Sequence, residues 1–147
     1  MNTLTINNMP PAIAIHLATA LLALVIGPAA IWARRTNSTK ATNAAITTTR
    51  AKLHRAAGYA WITCMVIASI SALFIRGSGL PNIAGFSPIH ILVPVTLGSL
   101  VVAFRALARG DIRTHKATMV RTYIGACIVA GAFTLLPGRF LGRMLWG

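Results

Sequence analysis

The sequence predicts an all-α integral membrane protein whose four transmembrane helices form an antiparallel bundle. Of its 147 residues, 56% are hydrophobic and only 10% are charged, whereas about a quarter of the residues in a soluble domain are charged. Four apolar stretches recur along the chain, each close to the roughly 20 residues that a helix needs to cross a bilayer. We therefore expect residues 1–147 to form a single transmembrane domain.

Proline, glycine and polar residues mark the ends of the predicted helices. Pro11 suits a first helical position, where its missing N–H leaves no bond unmade, and Pro137-Gly138 ends the last apolar stretch. Loops are expected at residues 36–49, with a possible helical extension into the second helix, and at residues 77–88. The helices are placed at residues 11–32, 53–75, 88–107 and 115–136.

The charge balance indicates contact with lipid. The chain has 14 Lys and Arg residues, one acidic residue, Asp111, and a formal net charge of +13. The basic residues lie in short segments between the apolar stretches, where they can meet anionic lipid headgroups. We therefore expect the lipid bilayer, and no nucleic acid, as a partner.

The distribution of basic residues predicts the orientation. Three of them, Arg76, Arg139 and Arg143, lie on one predicted side. The other eleven lie on the opposite side, which the positive-inside rule assigns to the cytoplasm: Arg34, Arg35, Lys40, Arg50, Lys52, Arg55, Arg105, Arg109, Arg113, Lys116 and Arg121. The protein is thus predicted to be a multi-pass protein of the bacterial inner (cytoplasmic) membrane with both termini outside.

The four histidines carry the main functional hypothesis. Each lies near one end of an apolar stretch, so alternating helices bring His16 and His90 to the outer face and His54 and His115 to the inner face. Two facing imidazoles in a helical bundle can fill both axial positions of a b-type haem. The sequence therefore predicts two haem b groups, each with iron ligated by one histidine pair, in a small cytochrome that carries electrons across the membrane.

Other residues would complete such sites. Haem propionates are anionic and favour basic partners, and the inner candidates are Arg55, Lys116 and Arg121; Arg76 and Arg139 are the outer ones. Glycines would let the flat macrocycle approach a helix backbone, and the candidates are Gly27, Gly58, Gly98, Gly125 and Gly131. Met65 and Met119 can also ligate iron, although core packing is the favoured interpretation for both.

Two other interpretations remain open, and the sequence assigns no enzymatic reaction. Histidines near helix ends also occur as interfacial residues, which would make the chain a haem-free structural or accessory subunit of a larger membrane complex. A small transporter or channel is less favoured, because acidic and mid-helix polar groups are scarce. As a cytochrome, its partners would be other membrane-protein subunits, a quinol or a soluble redox partner.

The two halves of the chain show a weak repeat. His16 and His90 each begin an apolar stretch, and each is followed by a basic segment and a His-basic pair, His54-Arg55 or His115-Lys116. Two parallel helix-pair repeats, related by an axis along the membrane normal, would produce this pattern.

Two motifs carry a family resemblance. They are His54-Arg55-x-x-Gly58 and Arg109-Gly110-Asp111-Ile112-x-x-His115-Lys116-x-x-Met119-x-Arg121-x-Tyr123. With His16 and Gly27-Pro28, they resemble a prokaryotic family of four-helix membrane proteins catalogued as domain of unknown function 2306. The helix count and paired histidines look similar to two-haem membrane cytochromes b. In this setting, Asp111 is expected to cap the last helix or to pair with a neighbouring arginine.

Overall fold

The computed structural model describes residues 9–34, 44–75, 88–135 and 142, and all regular secondary structure in these ranges is helical. Antiparallel hairpins pair α1 with α2 and α3 with α4, and α2 also packs against α3. The bounds are α1 Pro11–Arg34, α2 Ala44–Leu73, a 3-10 turn Pro88–Ile91, α3 Leu92–Ala108, α4 Ile112–Thr122, a π-helical segment Tyr123–Val129 and α5 Ala130–Thr134. The predicted all-α membrane fold is confirmed.

The first loop is shorter than predicted, because α2 begins at Ala44 and includes residues 44–49. Adding a residue to an existing helix needs no new nucleus, so the membrane-crossing part of α2 can extend into the polar Thr-rich segment. The guanidinium of Arg50 lies 5.4 Å from the ring centre of Trp32, and this cation–π contact holds the extension against the end of α1.

The turn between α3 and α4 explains the Arg-Gly-Asp-Ile motif. Gly110 has φ 74°, a conformation that favours glycine. The N–H of Gly110 donates to the carbonyl of Leu107 at 3.0 Å, and the N–H of Asp111 donates to the carbonyl of Ala106 at 2.9 Å. Together these bonds form a Schellman C-cap. Asp111 also begins α4, since its carboxylate accepts from the Thr114 N–H at 3.0 Å, which confirms the predicted capping role.

The Asp111 cap makes the stability of the folded protein depend on pH. Hydrogen bonds from Thr114, its side chain first, and from the Arg113 backbone hold the pKa of the Asp111 carboxyl below its usual value of 3.8. A lowered folded-state pKa stabilises the protein above the unfolded pKa, and this contribution is lost as the pH falls through the folded value. Asp111 is the only acidic side chain in the chain, so few other groups titrate in this window.

We expect Asp111→Asn to lose less stability than the wild type on acidification from about pH 5 to about pH 3, because an Asn cap does not titrate. Detergent-solubilised protein unfolded thermally at each pH provides the measurement. Parallel losses in both proteins would contradict this account of the cap.

The fourth predicted helix is continuous but not uniform. It begins at Ile112, three residues earlier than predicted, and its middle turns are the π-helical segment. Such a segment uses i→i+5 hydrogen bonds and is frequent at functional sites. No feature of the sequence indicated it.

A small core occupies the middle of the bundle. The buried residues are Ala23 of α1, Trp61 and Met65 of α2, Leu100 of α3 and Cys127 of the π-helical segment. Many large apolar side chains point outward instead, including Leu21, Val25 and Phe74. Around this core the buried apolar residues are mostly alanines, including Ala30, Ala68 and Ala103, as expected where small residues let membrane helices approach closely.

Three helical ranges are long and apolar enough to cross a membrane, namely Pro11–Ala33, Thr48–Leu73 and Ile112–Thr134, and Leu92–Ala108 is shorter but apolar.

The single-domain assignment and the repeat stay predictions. Some predicted features lie outside the described residues: the loop at 77–87, the Pro137-Gly138 helix end, and Arg35, Lys40, Arg76, Arg139 and Arg143.

Candidate functional site

Three of the four histidines bind the backbone of a neighbouring helix through the same ring atom. His16 Nδ1 lies 2.9 Å from the Ala68 carbonyl oxygen. His54 Nδ1 lies 2.9 Å from the Ala30 carbonyl oxygen. His115 Nδ1 and the Ala103 carbonyl oxygen are 3.0 Å apart. The first contact joins a histidine of α1 to α2, the second joins a histidine of α2 to α1, and the third joins a histidine of α4 to α3.

This geometry determines the tautomer of each neutral ring. A carbonyl oxygen can only accept a hydrogen bond, so Nδ1 must carry the proton. The lone pair of the neutral ring then lies on Nε2, which is the nitrogen available to a metal. The Ser71 hydroxyl donates to the same Ala68 carbonyl at 3.0 Å and lies 3.4 Å from His16 Nδ1, so it supports the position of that ring.

His54 and His115 lie at the same level of the bundle. The rings of Trp61 and Tyr123 are in contact, with centroids 6.5 Å apart. Trp61 follows His54 by seven residues and Tyr123 follows His115 by eight, distances of about 10 and about 12 Å along parallel helices. Both histidines are therefore at the end of the bundle that carries the α3–α4 turn.

His16 and His90 lie at the opposite end. His16 contacts Ala68, which is 14 residues, or about 21 Å, beyond His54 along α2. His90 precedes Ala103, the partner of His115, by 13 residues, or about 20 Å. His90 is buried in the 3-10 turn, and its Nε2 has no hydrogen bond to any described residue, while the residue makes another interaction.

The structure separates the two histidine levels. The mid-bundle core of Ala23, Trp61, Met65, Leu100 and Cys127 lies between them. Over the described ranges, no three His, Cys, Asp or Glu side chains group as metal ligands. The two ends thus remain separate histidine levels about 20 Å apart.

The three predicted propionate partners lie at the end of His54 and His115. Arg55 and Lys116 directly follow these histidines, and Arg121 is one and a half turns further along α4; all three side chains are exposed. Arg121 is two residues from Tyr123, close to the level of the exposed Tyr59. An exposed Arg at this depth can extend its guanidinium to the interface.

The glycines divide into two kinds. Apart from the neighbouring backbone of the same helix, no described atom lies within 4 Å of the position of an added Cβ at Gly58, Gly98, Gly125 or Gly131. At Gly27, an added Cβ would lie 2.5 Å from Cε2 of Tyr123 and 3.1 Å from Nε1 of Trp61. The expectation that Gly27 admits a macrocycle is therefore wrong, because the Tyr123 ring fills that space.

Gly27, Pro28 and Tyr123 form a lock between α1 and the fourth helix. Pro28 lies inside α1 and has no N–H for the carbonyl of Leu24, its i−4 residue. The Tyr123 hydroxyl donates to that carbonyl at 3.1 Å, and Gly27 makes room for the ring. The motif residues Gly27-Pro28 and Tyr123 are visible in the sequence, but only their contact shows that they act together.

The comparisons with known proteins add one match. Residues 13–145 match the family model described as a predicted membrane protein, domain of unknown function 2306. No curated protein and no solved structure matches the chain. Because the family model covers nearly the whole chain, the protein belongs to this family of membrane proteins.

Proposed function

We propose that the protein is a small b-type cytochrome that carries electrons across the bacterial inner membrane. In this proposal His16 and His90 ligate an outer haem, and His54 and His115 ligate an inner haem. Arg55, Lys116 and Arg121 neutralise the propionates of the inner haem. Both termini face outward, and the electron donor or acceptor is a quinol, a soluble protein or another membrane subunit.

The observation that carries the proposal is the shared Nδ1 contact of His16, His54 and His115. Each ring is oriented by a backbone carbonyl of another helix, and each neutral ring has its lone pair on Nε2. Ligand histidines in metal sites have this arrangement, in which the second nitrogen fixes the tautomer and the ring orientation.

The placement of charge and of open surface also supports the proposal. Basic side chains lie beside the inner pair, where they can hold anionic groups at the interface. Gly58 and Gly125 present open backbone surface between the histidine levels. A haem with two imidazole ligands supplies one-electron transfer and leaves no coordination position for oxygen.

A dithionite-reduced minus oxidised absorption spectrum of detergent-purified protein, with haem quantified per chain, tests this function. The sample should come from cells supplied with haem. A b-type spectrum with close to two haems per chain is the expected result. A folded protein without a haem signal would overturn the proposal.

The second candidate is a haem-free accessory subunit, and the same histidine contacts favour it. The Nδ1 bonds join helices directly, so they can stabilise the bundle without any metal. This function predicts a colourless protein that co-purifies with partner subunits. It also predicts that the chain assembles after all four histidines are replaced by glutamine, whose amide can still donate to a carbonyl.

A further inference from the structure

We propose that the outward face of α3 binds an anionic phospholipid, with Arg105 and Arg109 holding the phosphate and the surface beside Gly98 receiving an acyl chain. Lipid binding at this face does not require haem, because the face is the side of α3 that points away from the bundle.

The face is defined by helical spacing. The buried residues of α3 are Val93, Thr96, Leu100, Ala103 and Ala106. Gly98, Arg105 and Arg109 lie on the opposite side, separated by seven and four residues, and all three are exposed. Residues at these spacings stack along one face of a helix.

The two arginines are at the depth of lipid phosphates. The carbonyl of Ala103 accepts from His115, at the end of the bundle where the basic residues lie. Arg105 is two residues further toward the turn, and Arg109 is the C-cap of α3. Side chains of this length, placed at the edge of the apolar surface, can reach the headgroup region.

Arg105 and Arg109 carry two positive charges, and the chain has one side-chain carboxylate against 14 basic residues. The chain's only acidic side chain, Asp111, caps α4 through the Thr114 N–H. A phosphate diester can supply the missing negative charge, and two guanidinium groups one helical turn apart can bind its oxygens through charge-assisted hydrogen bonds.

The apolar surface below the arginines suits an acyl chain. Val95, Val101 and Val102 are 50–57% exposed. Apart from the neighbouring backbone of α3, no described atom lies within 4 Å of a Cβ position at Gly98, so the missing side chain leaves a notch among these valines. An anionic headgroup above an apolar notch corresponds to a phospholipid rather than to free phosphate.

Native mass spectrometry of the full chain in detergent can test the site with phosphatidylglycerol and phosphatidylcholine that have identical acyl chains. The wild type should bind phosphatidylglycerol in preference. We expect Arg105→Gln/Arg109→Gln to weaken phosphatidylglycerol binding roughly 30-fold, since each basic residue near a headgroup contributes about fivefold. Phosphatidylcholine has the same phosphate but also a choline cation that offsets its charge, so its binding should weaken much less.

Matched variants distinguish lipid binding at this site from a general effect of surface charge. Lys52→Gln/Arg113→Gln removes the same charge at the same end of the bundle and should retain most of the preference for phosphatidylglycerol. Gly98→Leu should weaken both lipids, because it fills the notch. Unchanged binding by the arginine variant, or equal weakening by the control, would overturn the proposal. Competition by glycerol phosphate at the same concentration would also overturn it, since the site would then recognise free phosphate.

Discussion

Replacing His115 with alanine is expected to reduce the haem content of the proposed cytochrome from two groups per chain to one. The variant loses the proposed Nε2 ligand of the inner haem, while His16 and His90 lie about 20 Å away beyond the mid-bundle core. Haem per chain, measured from the pyridine-complex spectrum, provides the readout. Met119→Leu is the matched control, because Met119 lies one turn from His115 and packs against the core, which is its favoured role over iron ligation.

Double variants test the pairing itself. His54→Ala/His115→Ala should lose one haem, since both changes affect the same site. His16→Ala/His115→Ala should lose both haems, since the changes affect different sites. Loss of both haems in the first double variant would contradict the pairing by level. Wild-type haem content in all four single variants would exclude the histidines as ligands.

Gly27→Ala is expected to destabilise the protein by about 1–3 kcal/mol, the usual cost of overpacking. The added methyl would lie 2.5 Å from Cε2 of Tyr123. The Tyr123 ring cannot move aside without breaking its bond to the Leu24 carbonyl, which Pro28 leaves without a helical donor. This cost exceeds the gain of up to about 1 kcal/mol that alanine brings to a helix interior.

A double-mutant cycle isolates this contact. In the background of Tyr123→Ala, the Gly27→Ala change should cost little, which corresponds to a coupling energy of about 1–2 kcal/mol. Gly131→Ala is the control, because no described residue outside the local helix backbone lies within 4 Å of its Cβ position, and it should leave stability unchanged or raise it. Unfolding by SDS in mixed micelles measures the stability of all five proteins. Additive effects of the Gly27 and Tyr123 changes would show that the contact between these two residues contributes nothing to stability.

Much of the fold could be predicted from the sequence because a bilayer imposes a simple rule. Backbone groups in hydrocarbon must bond within their own segment, so long apolar stretches become helices. Pro11 begins α1 and Gly110 follows the end of α3. The start of α2 was predicted less well, since a polar helix beyond the bilayer has no apolar pattern to mark it.

The histidine levels were also accessible to sequence reasoning. Alternating helices put His54 and His115 at one end, and the contacts among Trp61, Tyr123, Met65 and Cys127 agree with that arrangement. The sequence contained no information on which nitrogen of each ring is engaged. That depends on which carbonyl of a neighbouring helix lies within reach, and the distance is set by packing between segments far apart in the chain.

The sequence by itself determined the membrane class, the helix order and the residue types at each end, because these follow from hydropathy, charge and local backbone chemistry. Only the tertiary structure decided the role of Gly27, which packs against Tyr123 instead of facing open space. It also decided the Nδ1 contacts and the π-helical segment. Each of these features depends on side chains meeting across helices, and the spacing of residues along one helix does not specify which atoms meet.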